Sequence, residues 1–319
     1  MQKNMVFGLL KIAEICRPEC DQDFWKIYYN DIREIILMMK THNRFAKVKE
    51  EYTMLGAIIG DMSGSRFEWG NIKTKDFELL NDECFPTDDS IMTLAIAKTI
   101  FECNGDYAGI EETVIKNMQT LGRLYPLAGY GARFYDWLFE DNPKPYRSFG
   151  NGAAMRVSPC GFAAETMEEA IALARAVTKV THNHPQGMKA AEAVTVAIFM
   201  ARSGKKLAEI REHIEKKYYK IDFTLDQIRP AYTFDVTCQG SVPQAFEAFF
   251  ESTGFEDAIR NAVSIGGDSD TIAAITGSMA EAYYGIPSGI LEQALALLDD
   301  NLLLIAEKFE KRFGQKKEL

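Results

Sequence analysis

Apolar residues return at spacings of three and four along almost the whole chain, and clear period-two alternation is missing. Residues 24–41 show the pattern plainly: Trp25, Tyr28, Ile32, Ile35 and Ile36 fall on one stripe, which predicts an amphipathic helix. Similar stripes run through 90–103, 107–123, 166–179, 186–203, 207–218, 241–252, 255–263, 271–285 and 290–312. With no repeat at a fixed period and no low-complexity segment, solenoids and disordered tails are disfavoured. An all-α fold is expected. At 319 residues and 47% hydrophobic content, the helices can enclose a substantial core. The first fifty residues are charged and end in KVKEE, just before the composition turns small and glycine-rich. That shift sets the expected boundary between a helical extension, 1–50, and a main domain, 51–319.

The net charge of -10 argues against a protein whose main partner is a phosphate backbone, which usually requires a basic face. Six cysteines are scattered without a paired CxxC frame, and the start MQKNMVFGLLKIAEIC has no basic segment followed by a cleavage site. A reducing cytoplasm is the expected location. No apolar run approaches the roughly 18 residues that a membrane-spanning helix needs.

Five stretches carry residues suited to chemistry. In MLGAIIGDMSGSRFEWGN, Gly56, Gly60 and Gly64 stand four apart, each costing about 1 kcal/mol relative to alanine in a helix. Close helix packing would offset that cost, and Asp61 and Glu68, seven residues apart, would then share a neighbouring face that lines a pocket. In FPTDDSIMTLAIAKTI, Thr87, Asp88 and Asp89 precede an apolar helix, and SIGGDSDTIAAITG repeats the form with Asp268, Asp270 and Thr271. Helix capping explains either one alone. One cap needs one acid, however, and together the two sets offer six hard oxygen donors, which suit Mg²⁺ or Mn²⁺. Several carboxylates in one pocket would raise one another's pKa unless a cation compensated them. The Asp-x-Asp spacing is not helical in register, so these donors are expected on a loop, with Gly266 and Gly267 allowing a tight approach.

The stretch RSFGNGAAMRVSP offers exposed backbone N–H groups that suit a phosphate or diphosphate, or else simply turns between two helices. No P-loop appears, and no strand precedes a GxGxxG. In VTHNHPQG, His182 and His184 lack a third soft donor in a zinc frame, which leaves packing or ligand contact.

Taken in order and at these separations, GDMSGSRFE, TDDS, GNGAAMRVSP, THNHP and GGDSDTIAA resemble the ADP-ribosylglycohydrolase family over residues 54–290. The resemblance implies a compact orthogonal multi-helix bundle with a binuclear magnesium centre at the floor of an ADP-ribose cleft. Carried over position by position, Thr87, Asp88, Asp89, Asp268, Asp270 and Thr271 would hold two Mg²⁺, with Mn²⁺ as the alternative. Glu68 would stand above the metals as base or proton shuttle, with Asp89, Asp268 and Asp270 supporting catalysis. Asp61, Gly150, Asn151, Gly152, Ala153, Met155 and His182 would contact the ligand. The chain departs from the pattern at Ser90, where many members have a second threonine, and in its first fifty residues, which have no counterpart in the common core. Some relatives have lost these acids and become binding or lens structural proteins; this chain keeps every one. The implied reaction is hydrolysis of the bond joining ADP-ribose to an arginine, a serine or another acceptor, by a monomer. A metal-dependent phosphoesterase or pyrophosphatase and a non-catalytic ADP-ribose-binding module are the alternatives.

Overall fold

The computed structural model describes residues 53–314. Within them the chain forms fifteen helices, and the strand-like pairing among the described residues is a single antiparallel bridge between Gly150 and Thr237. The stripe predicted over 24–41 lies outside the described residues. The all-α expectation holds for the rest.

In chain order the helices are α1 Leu55–Ser65, α2 Asp88–Cys103, α3 Ile110–Leu124, α4 Ala132–Phe139, α5 Gly152–Met155, α6 Ser158–Ala163, α7 Met167–Lys179 and α8 Pro185–Arg202. They continue with α9 Leu207–Lys217, α10 Leu225–Ile228, α11 Cys238–Phe250, α12 Phe255–Ser264, α13 Ser269–Tyr284, α14 Ser288–Leu297 and α15 Asp300–Phe313. The stripe over 290–312 is therefore two helices. Asp299 breaks it by accepting from the backbone N–H groups of Asn301 and Leu302 at 2.9 and 3.0 Å, which starts a new helix.

Two helices form the centre. Every residue of α1 is buried, as is α13 from Ser269 to Glu281, and a helix buried all round must pack on all sides. Helix α13 lies against α1, α8, α11 and α12. The glycines make the α1–α13 contact possible: a Cβ on Gly56 would sit 2.3 Å from the Gly277 carbonyl oxygen, and one on Gly60 would sit 2.0 Å from that of Ala273. On Gly64 it would meet the Asp270 Cα at 2.5 Å. Only a bare backbone fits, so the glycine cost is offset by contact between two backbones. The start of α1 has no side-chain cap of its own, since Met54 stands there with φ 78°. Glu281 of α13 supplies the acceptor instead, taking the Gly56 N–H at 2.6 Å.

Candidate functional site

The close approach of α1 and α13 fixes where the acids meet. Asp61 sits on α1 one turn before Gly64, whose missing Cβ lets the Asp270 backbone come near. Helix α2 arrives at the same place because Asp61 caps it. Asp61 Oδ1 accepts from Thr87 Oγ1 at 2.7 Å, and Oδ2 accepts from the backbone N–H groups of Thr87 and Ser90 at 2.8 and 3.0 Å. The Ser90 hydroxyl donates to Oδ2 as well. Serine at position 90 thus keeps a hydroxyl that donates to Asp61.

Asp268 stands immediately before α13, without a side-chain capping bond, and Asp270 occupies its first turn, just as Asp88 and Asp89 open α2 behind Thr87. The expectation that these donors lie on a loop leading into the helix holds for Asp268, on the bend just before α13, and is corrected for Asp270, which the first turn of the helix itself carries. The turn before Asp268 does need glycine, since Gly266 and Gly267 have φ of 67° and 80°. Helix α1 stops at Ser65, so Glu68 stands beyond it, on the following turn rather than on a shared helical face.

Two triplets result. Asp61, Asp89 and Asp270 each bring a carboxylate oxygen within 4.8 Å of the others, and so do Glu68, Asp268 and Asp270. Asp270 belongs to both. Thr271 Oγ1 donates to Asp89 Oδ2 at 3.1 Å, while Asp89 Oδ1 and Ser269 Oγ are buried with no hydrogen-bond partner. Asp88 is half-buried beside these groups, under the turn at Gly129.

The electrostatics follow from that crowding. Burial, then the charges of Asp61, Asp88 and Asp268, raises the Asp89 carboxyl well above its ordinary value. Burial and the charges of Asp89, Asp268 and Asp61 do the same to Asp270. Asp88 is pushed up to about 8 by burial and then by Asp61 and Asp268, and Asp61 to about 6 by burial alone, against its hydrogen bonds. Asp268 is raised by burial, with Asn151 among the donors that oppose the shift. Glu68 rises to about 7 through burial and the charges of Asp268 and Asp61. The neighbouring aromatics do not enclose it: Trp69 is 82% exposed and stacks on Phe234 at 5.4 Å, while Phe67 turns edge-on to Phe77. A buried oxygen without a donor, inside an all-oxygen set whose members repel one another, is what a hard divalent cation relieves. The residues present fit such an ion.

The glycine loop closes the other side. Asn151 ties it to the acids by donating from Nδ2 to Asp268 Oδ2 at 2.7 Å, and its backbone N–H bonds the Val236 carbonyl at 2.8 Å. Cys238 N–H bonds Phe149 O at 2.9 Å. Ala153 and Met155 are buried in α5, and His182 lies under the loop, its Nε2 3.3 Å from where a Gly152 Cβ would be and 3.7 Å from one on Gly150. His184, by contrast, caps α8 through its Nδ1, 3.2 Å from Gln186 N–H.

Several residues at the site carried no clear sequence signal. Asn71 clamps the turn before Asp268, donating to Gly267 O at 2.9 Å and accepting its N–H at 2.7 Å. Arg156, inside the quoted glycine-rich stretch, is buried against His182. An arginine in an otherwise apolar, small-residue run was the available clue.

The sequence model of the ADP-ribosylglycohydrolase family matches residues 41–318. Among curated proteins, the chain is 25% identical over 304 residues to ADP-ribosylhydrolase ARH3 of Xenopus tropicalis, covering 73% of this chain and 86% of that one. It is 30% identical over 156 residues to the ADP-ribosyl-[dinitrogen reductase] glycohydrolase of Rhodospirillum rubrum, 45% of this chain and 50% of that one. It is 24% identical over 267 residues to ADP-ribosylarginine hydrolase Tri1 of Pseudomonas putida, 73% and 70% of the two chains. A solved structure described as an ADP-ribosylglycohydrolase-related protein complex shares the fold with a TM-score of 0.60 at 22% identity, over 81% of this chain and 95% of that one. The acid-bearing helix starts, the glycine loop and His182 all fall inside the matched span, and the chain belongs to the ADP-ribosylglycohydrolase family.

Proposed function

We propose that this chain is a magnesium-dependent hydrolase that cleaves the glycosidic bond between ADP-ribose and an acceptor. The observation that carries the reading is the buried acidic cluster, with its unpartnered Asp89 oxygen, in a chain of this family. Thr87, Asp88, Asp89, Asp268, Asp270 and Thr271 would hold two Mg²⁺, with Asp61 fixing the start of α2. Bound there, the ions would supply Lewis acidity at the ribose hydroxyls and at a water. The remaining work falls to side chains. Glu68 takes a proton from the attacking water as its oxygen bonds the anomeric carbon, and the proton passes to the acceptor atom as the old bond breaks. A proton affinity raised by burial and by Asp268 suits that exchange. The loop Gly150–Ala153 and His182 hold the diphosphate side. The exposed Trp69–Phe234 stack beside Glu68 gives the acceptor, an arginine, a serine or a small molecule, a surface to lie on.

The chemistry is assigned to residues 51–319, since none of the five motifs falls earlier. The test incubates ADP-ribosylated protein with the full chain and with the chain lacking residues 1–48, with and without magnesium, and identifies products by mass spectrometry. Intact ADP-ribose and the freed acceptor, released by both proteins in magnesium alone, are expected. AMP with ribose phosphate would replace this reading with a phosphoesterase. Binding without turnover would replace it with a binding module.

A further inference from the structure

Arg156 is a buried cation in an unusual setting. It is 1% exposed, its Nε has no hydrogen-bond partner, and its guanidinium lies over the Phe134 ring at 5.3 Å. Its Nη1 reaches only Met118 Sδ, at 4.0 Å. The strong contact is from Nη2, 2.7 Å from His182 Nδ1, with Thr181 Oγ1 3.4 Å from the same nitrogen. Thr181 Oγ1 is also 2.7 Å from Nδ1.

A guanidinium has five donors, no acceptor, and keeps its proton in proteins. At 2.7 Å it can face Nδ1 only if Nδ1 accepts. The imidazole proton must then sit on Nε2, the nitrogen turned towards Gly150 and Gly152. Thr181 could not make this choice alone, because a hydroxyl donates to a bare nitrogen or accepts from a protonated one equally well. We propose that Arg156 is a positioning residue that locks His182 as the neutral Nε2–H tautomer, so that a fixed donor faces the glycine loop. The groups around the ring agree with this. Tyr146 lies 6.0 Å away, ring to ring, with the Arg133 cation over it, while the acids Asp88 and Asp89 act on Arg156 and Arg156 is the charge that acts on the imidazole. Burial and the Arg156 charge both hold the imidazole well below its ordinary pKa. The donor would serve an oxygen acceptor of the ligand, which for ADP-ribose rests on the function proposed above.

The chain has four histidines, so long-range nitrogen–proton NMR of the imidazoles in the ¹⁵N-labelled protein can resolve the state of His182, assigned against His182→Gln. The expected spectrum has Nδ1 bare and Nε2 protonated, unchanged between about pH 5 and 8. A proton on Nδ1, or an ordinary titration in that window, would overturn the lock. In Arg156→Met, His182 should show mixed tautomers and titrate, and ADP-ribose affinity should fall about tenfold and become pH-dependent, as loss of one hydrogen bond implies. Arg156→Lys keeps a charged donor and should restore the bare Nδ1; it also serves if the methionine variant does not fold. An unchanged spectrum in Arg156→Met would show that something else sets the tautomer. An expected spectrum with no binding of ADP-ribose by the unaltered protein would support the lock and count against the proposed function, which keeps the two separable.

Discussion

Asp89 stands where the charges of the cluster converge, with one oxygen held by Thr271 and the other without a donor. Removing its charge has two opposite consequences. Without metal, Asp89→Asn relieves repulsion from Asp61, Asp88 and Asp268, so the protein should gain about 1 kcal/mol of stability, the common return for relaxing a strained site. With magnesium, the same variant should lose both turnover and metal-induced stabilisation, and Asp270→Asn should behave alike because Asp270 belongs to both triplets. Thermal melts with magnesium or EDTA, run beside product assays, read both signs; wild-type turnover in either variant would remove these acids from the centre. Glu68 differs from both in its partial exposure. Glu68→Gln should lower kcat by about 10² to 10⁴ while ADP-ribose binds as before. Calorimetry showing affinity falling in step with rate would make Glu68 an anchor instead of a proton carrier.

The close contact of α1 and α13 is what turns separate helices into a site, and it leaves no room for a Cβ at Gly56, Gly60 or Gly64. A Cβ at residue 60 would lie 2.0 Å from a carbonyl oxygen of α13, and neither backbone has room to yield. Gly60→Ala should therefore cost about 3 kcal/mol, the upper end for an overpacked core, and weaken the magnesium-induced rise in melting temperature by parting Asp61 from Asp270. Gly289→Ala, in the first turn of α14 where a new Cβ meets nothing within 4 Å, is the control and should leave the magnesium response unchanged while raising stability by at most about 1 kcal/mol. If Gly60→Ala melted like the control, backbone contact would not be what aligns the acids. The glycine spacing was legible because Gly56, Gly60 and Gly64 share one face, and 90–103 and 271–285 were legible as helices, although α13, buried all round from Ser269 to Glu281, presents no single stripe. The end of α1 was not, since Ser65 and Arg66 break no pattern, and Glu68 was placed on the helix in consequence. The Thr87 cap was legible, its Oγ1 accepting from Asp89 N–H at 3.3 Å, but that Asp61 also binds the Thr87 and Ser90 N–H groups was not, since it depends on a contact 26 to 29 residues away in sequence. Clusters such as Asn71 with Gly267 and Arg156 with His182 are likewise products of tertiary approach, which periodicity cannot encode.

Across the whole molecule, the raised carboxyls set how stability should depend on pH. A carboxyl whose folded pKa exceeds its unfolded value binds protons more tightly in the folded state, so its contribution is greatest below the unfolded value and is lost as pH rises through the folded one. Asp61, Glu68, Asp88 and Glu281, pushed up to about 6, 7, 8 and 8, all act in this direction, burial being the largest cause for each. The metal-free protein should accordingly lose stability steadily between about pH 5 and 8, where ordinary proteins are near their maximum. Magnesium should change the slope as well as the height. An ion among the acids favours their ionised forms, so the contributions of Asp61, Glu68 and Asp88 should flatten. Glu281, at the opposite end of α1 and bonded to Gly56 N–H, has no share in the cluster and should keep its part of the slope. Melting temperatures in EDTA and in magnesium across that range therefore give two curves that converge at low pH and diverge as pH rises, and Glu281→Gln should remove its share of the slope that remains with magnesium, leaving that of Glu247 on α11, which burial pushes up to about 7. Parallel curves, or an EDTA curve that rises with pH, would mean that the buried acids are not held together as carboxyls awaiting a cation, and the metal assignment would fall with them.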